Sequence, residues 1–130
     1  MGDNLYIGPP ERTTWRLPPA EFATHLARRW QVVRLAWDED PASPTAVEFT
    51  LAGPRGEIEG CFQRDGTMLV LQRFDEWDAA EMAVWFRSLV PPEQPLLILS
   101  GSGLGYSELL PTDTAEEVSR RFRGGSSDQD

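Results

Sequence analysis

The sequence predicts a two-layer α+β fold: an antiparallel sheet of about 4–6 strands around a central meander at 46–73, packed on one face by helices near 19–30, 76–89 and 114–122. Three observations carry this. Residues 46–73 alternate apolar and polar side chains with period two, around the turn signals Pro54-Arg55 and Asp65-Gly66. Phe22, Leu26 and Trp30 recur at four-residue spacing, and Trp77, Met82, Trp85, Phe86 and Leu89 form a second apolar helical face. The order of elements is helix, strands, helix, one or two strands, helix, which suits helices on the apolar side of an antiparallel sheet.

Taken in order, residues 1–17 contain Leu5-Tyr6-Ile7 before Gly8-Pro9-Pro10, which reads as an N-terminal arm or edge strand. Residues 18–123 form the single α+β domain. Pro18-Pro19 opens the first helix, because proline's missing N–H costs nothing in a first turn. Val32 to Trp37 reads as a strand, and Asp38 to Pro44 as a proline-broken acidic loop.

In the meander, a two-residue type I′ turn at Asp65-Gly66 pairs Phe62 with Leu69, Cys61 with Val70 and Gly60 with Leu71. A turn at Pro54-Arg55 pairs Leu51 with Ile58, Phe49 with Gly60 and Val47 with Phe62. Both registers place Val47, Phe49, Leu51, Ile58, Phe62, Leu69 and Leu71 on one side. The other side carries Glu48, Thr50, Glu57, Glu59, Cys61, Gln63 and Gln72, with Met68 and Val70.

Asp75 is the expected N-cap of the second helix, with Asp78 placed to complete a near capping box. Asp78, Glu81 and Arg87 are its polar positions, and Pro91-Pro92 ends it. Leu96 to Leu99 is a short apolar strand, expected to be central and covered on both sides. Gly101 to Gly105 is a glycine-rich loop, and Tyr106 to Leu110 one further strand. Thr114 and Glu117 form a capping box for the last helix, and 124–130 reads as a polar, disordered tail.

Composition narrows the function classes. The 130 residues suffice for one core without disulfides or metals. All 12 basic residues are arginine, as a GC-rich bacterial genome would encode. A net charge of −9 argues against nucleic acid and against an anionic membrane, since both are held by clustered cations. Cys61 is alone, which excludes an internal disulfide and CxxC chemistry. No basic segment followed by an apolar run opens the chain, so a cytoplasmic location is expected.

No residue set reaches a catalytic signature, and no cofactor or metal is expected. Ser100, Gly101, Ser102, Gly103 and Gly105 follow a strand, as phosphate-binding loops do. Their G-x-G-x-G spacing, the lack of lysine and the interruption by Pro111 fit a flexible connector better. Ser100 and Ser102 lack an adjacent base, and the single histidine, His25, lies on the first helix. Asp38-Glu39-Asp40 lacks the alternation, turn glycine and closing glutamate of a calcium loop. The preferred site is the mixed sheet face: Glu48, Thr50, Glu57, Glu59, Gln63 and Gln72. An acidic surface with apolar spots suits a protein partner of basic character, or a second copy in a homodimer, since an open sheet leaves an edge strand to pair.

By element order and acidity the chain resembles type III secretion chaperones and some bacterial toxin-immunity proteins. That resemblance implies a non-enzymatic protein-binding module, and it transfers no functional position. The alternative is a small-ligand or enzymatic domain built on the Gly101–Gly105 loop.

Overall fold

In the computed structural model, which describes residues 4–100 and 106–127, the chain forms β1 (Leu5–Gly8), α1 (Pro19–Arg29), β2 (Val32–Trp37), β3 (Thr45–Gly53), β4 (Gly56–Gln63), β5 (Leu69–Arg73), α2 (Glu76–Ser88), β6 (Leu97–Ser100), β7 (Tyr106–Glu108) and α3 (Ala115–Ser127). The strands make one antiparallel 7-stranded sheet in the order β2-β3-β4-β5-β1-β6-β7. The α+β architecture is the one expected, with more strands than expected.

The meander registers match the sequence reading pair for pair. Leu51 opposes Ile58, Phe49 opposes Gly60 and Val47 opposes Phe62. Phe62 opposes Leu69, Cys61 opposes Val70 and Gly60 opposes Leu71. All seven expected core residues of this face are buried. They meet Phe22 and Leu26 of α1 and Met82, Ala83 and Phe86 of α2 in one cluster. Phe22 is its hub: its ring stacks on Phe62 at 4.2 Å between centroids and lies 5.9 Å from Phe49, 5.9 Å from Trp85 and 6.4 Å from Phe86. One helix side chain thereby ties two strands to the next helix, each ring pair adding about 0.5–1.5 kcal/mol beyond burial.

The second turn keeps its register but not its type. Among the described residues none other than glycine has positive φ, so a type I′ turn with Asp65 in that region is absent. Instead Gly66 N–H donates to the Gln63 carbonyl, closing a turn with Arg64 and Asp65 at its centre, and Gly66 alone takes φ 78°. Asp65 Oδ1 then accepts from Thr67 N–H. Gly66 also carries the approach of Leu17, whose N–H donates to the Gly66 carbonyl at 2.8 Å. A Cβ there would lie 2.6 Å from the Leu17 carbonyl oxygen, which the local two-residue pattern could not reveal.

Three placements differ from expectation. β1 is not an edge or an arm: it lies between β5 and β6, with Leu5 opposite both Leu71 and Ser100. Leu5 and Ile7 are buried, so two core side chains are gained by inserting the strand into the middle of the sheet. β6 is covered on one side only: Leu96 and Ile98 are buried, while Leu99 is 44% exposed, because the helices occupy a single face. On α2, Asp78 and Arg87 are buried rather than solvated. α2 packs on the sheet and also against α3, so little of its circumference stays wet.

Local chemistry explains how these polar groups are accommodated. Asp75 caps α2 as expected, accepting from Trp77 and Asp78 N–H. Asp78 does not close the box; its Oδ2 accepts from Arg55 N–H at 3.0 Å, tying the helix start to the β3–β4 turn. Burial raises its carboxyl above the usual range. Arg87 donates through Nη2 to the Pro91 and Pro92 carbonyls, near the negative end of the helix dipole. Thr114 and Glu117 form the expected capping box. α3 reaches Ser127, past residue 123 where a polar tail was expected; Gly124 and Gly125 weaken a helix without blocking it, whereas a proline would.

The start of α3 is fixed by an ion pair. Arg121 grips both oxygens of Asp113 at 2.9 and 2.7 Å and donates to the Glu108 carbonyl, while Leu110 N–H donates to Asp113 Oδ2. The arginine's hydrogen bonds hold the Asp113 carboxyl below the usual range. A carboxyl lowered on folding stabilises above its unfolded pKa and loses that contribution as pH falls through the folded value. Asp113→Asn should therefore cost about 1–3 kcal/mol at neutral pH and flatten the acid limb of stability against pH. Urea unfolding across the acid range checks this. Gly60 supplies a second test: a Cβ there would lie 2.5 Å from the Val70 carbonyl oxygen and 2.8 Å from Phe49 Cζ. Gly60→Ala is expected to lower stability by roughly 1–3 kcal/mol through overpacking, read as a lower urea midpoint at unchanged slope.

Candidate functional site

Opposite neighbours in an antiparallel sheet share a face, so the uncovered side is legible from the registers. One row crosses all strands: Ala36, Glu48, Cys61, Val70, Tyr6, Leu99, Tyr106. A second row runs Arg34, Thr50, Glu59, Arg73. A third passes from Gly8 to Leu97 and Glu108. None of these residues belongs to the helix-side core cluster.

The face has two halves. Over β2, β3 and β4 it is charged: Glu48 and Glu57 are exposed, and Thr50, Glu59 and Gln63 are half-buried. Gln72 is exposed at the end of β5. Arg73 lies 3.9 Å from Glu57 and 3.6 Å from Glu59, and Arg34 stands opposite Thr50. Glu57 and Glu59 thus share Arg73, which makes this half less acidic than its strands suggest singly. Glu48 lies apart from both ion pairs with Arg73.

From Val70 of β5 across β1 and β6 to Tyr106 of β7 the face carries an apolar band, with Glu108 at its margin. Val70 is buried, Tyr6 and Leu97 are half-buried, Leu99 is 44% exposed and Tyr106 is 70% exposed. Tyr6, Leu99 and Tyr106 were missed by the sequence reading. Leu5-Tyr6-Ile7 signals a strand, but no local pattern says that it pairs with both β5 and β6. Of the segment after β1, Trp15 and Leu17 turn to the helix-side core.

Cys61, between Glu48 and Val70, is buried; burial above all, with Glu48 adding, raises its thiol pKa. That is the opposite of an activated nucleophile. His25 is half-buried on α1. Gly101, Ser102, Gly103 and Gly105 lie outside the described residues, and Ser100 pairs through its backbone with Leu5. Among the described residues no group of three or more His, Cys, Asp or Glu is placed to hold a metal ion, and no helix is long and apolar enough to cross a membrane.

The acidic loop has an occupant of its own. Arg64 reaches into it from the β4–β5 turn, with Nε donating to the Ser43 carbonyl and Nη2 facing those of Asp38, Asp40 and Thr45 at 2.7–3.0 Å. Asp38 and Asp40 turn their carboxylates to backbone N–H groups at Asp40 and Ala42. The loop thus wraps an arginine, with carbonyls inward. Arg64→Lys should fail to replace it, since a single ammonium lacks the planar fork. A loss of about 1–3 kcal/mol, with faster amide exchange confined to 38–45, is the expected outcome.

The chain matches no protein-family model, no curated protein and no solved structure.

Proposed function

We propose that this protein is a non-enzymatic protein-binding module that engages a protein partner through the open face of its sheet. The observation that carries the reading is the cross-strand row from Glu48 to Tyr106, which joins an ionised rim to an apolar, tyrosine-bearing band. Exposed apolar surface rimmed by polar groups marks protein interaction sites, and tyrosine is enriched at their centres. Glu48, Thr50, Glu57, Glu59, Gln63 and Gln72 then set the rim, where charge governs encounter rate and partner choice. Tyr6, Leu99 and Tyr106 supply the desolvated contact that holds a partner. A basic partner with an apolar segment fits this division, and the net charge of −9 steers such a partner toward the chain.

The two halves should fail differently. Once a partner is captured by crosslinking in the native host, Tyr106→Ala is expected to weaken its equilibrium binding roughly tenfold or more, chiefly through faster dissociation. Glu48→Arg should slow association and reduce its salt dependence while dissociation changes little. Surface plasmon resonance separates the two rates. Unchanged binding by both variants would remove the open face as the site.

A further inference from the structure

We infer that the free edge of β2 is a homodimer interface, at which a second copy of this chain adds its own β2 antiparallel to form one continuous sheet. This rests on a different surface from the open-face reading and stands or falls separately. β2 ends the sheet, and it carries few of the devices that usually protect such an edge. It holds no proline and no lysine, and its bulge lies at Val32/Arg34, leaving Arg34 to Trp37 regular. The opposite edge is treated otherwise: β7 has 3 residues, and Arg121 occupies the Glu108 carbonyl.

The backbone parity of β2 selects a register. Asp38 N–H donates to the Ala46 carbonyl, so residues 34, 36 and 38 turn their backbone groups toward β3. Leu35 and Trp37 therefore turn theirs to the free edge. Their side chains, 38% and 47% exposed, extend the core-side rows of Phe49 and Val47 into solvent. A twofold axis beside Ala36 pairs Leu35 with the second copy's Trp37, and Trp37 with its Leu35. Both outward backbone sets are then matched, and the apolar row continues across the junction. On the other face the same axis sets Arg34 opposite the second copy's Asp38, twice. The Ser43 hydroxyl and the Asp40 N–H hold the Asp38 carboxyl below the usual range, so it is ionised. Shifting the axis to Leu35 instead sets Arg34 against Ala36 and leaves Asp38 without a cation opposite. Among the registers that backbone parity allows, the one about Ala36 is the one that sets Arg34 opposite Asp38.

The test uses the whole chain. Sedimentation from micromolar to millimolar concentration should show a dimer. Arg34→Asp and Asp38→Arg should each sediment as monomers, because each sets like charges opposite. An equimolar mixture of the two should return to dimer, since the heterodimer restores both pairs. A wild-type chain that stays monomeric throughout, or a mixture that stays monomeric, overturns the inference. Should either variant lose its near-ultraviolet tryptophan signal, crosslinking decides. In a Cys61→Ala background, Ala36→Cys should give a disulfide dimer on mild oxidation, since the two Cα atoms would be ~4.5 Å apart in a non-hydrogen-bonded pair. Leu35→Cys should not. Failure of the first, or success of the second alone, also overturns the register.

Discussion

The whole sheet depends on the seating of Leu5–Gly8 between β5 and β6. Without those 4 residues, β2 to β5 would form one meander and β6–β7 a separate hairpin, each with edges in the wrong place. An isolated two-stranded hairpin is marginal in water, so β6–β7 gains its stability from β1. The seating is held on both faces. Leu5 and Ile7 enter the helix-side core, and Gly8 admits Met68, against which a Cβ would sit at 3.0 Å. The strand also creates the apolar half of the open face, because Tyr6 bridges Val70 to Leu99.

Asymmetry is the main structural theme. All three helices lie on one face, and α2 packs both on the sheet and against α3, so its buried polar side chains serve the backbone around them. Asp78 satisfies a hairpin N–H, and Arg87 satisfies two carbonyls beyond the helix end. The other face is left to water, with its charges at one end and its tyrosines at the other. The two edges are equally unlike: β7 is short and gripped by an arginine, and β2 is regular from Arg34 to Trp37 and turns Leu35 and Trp37 to solvent.

Much of this was legible in the residues, and the limits have physical causes. The meander registers followed from two turns and strict alternation, because a one-residue slip would expose every core side chain. The type of the second turn did not follow. It depends on Leu17 pressing on Gly66 and on Arg64 being drawn into the loop at 38–45, both distant in sequence. Asp78 and Arg87 look like solvated helix positions until the β3–β4 turn is placed beside the first and the Pro91-Pro92 carbonyls beside the second. Of the site, Glu48, Thr50, Glu57, Glu59, Gln63 and Gln72 were placed on the uncovered face from alternation alone. The partial neutralisation of Glu57 and Glu59 by Arg73 needed the bulge between Glu59 and Gly60. Tyr6, Leu99 and Tyr106 needed a topology in which the earliest strand joins the latest, and no local pattern encodes that.

The position of β1 has a consequence for biosynthesis. Leu5 leaves the ribosome long before Ser100, its partner on β6, and at ordinary elongation rates the wait is on the order of ten seconds. Until β5 emerges the strand has no partner, and from then until Ser100 emerges it is paired on one side only, with its other edge open. Such a nascent chain is a natural client for holdase chaperones, and translation speed ahead of residue 100 becomes a determinant of yield.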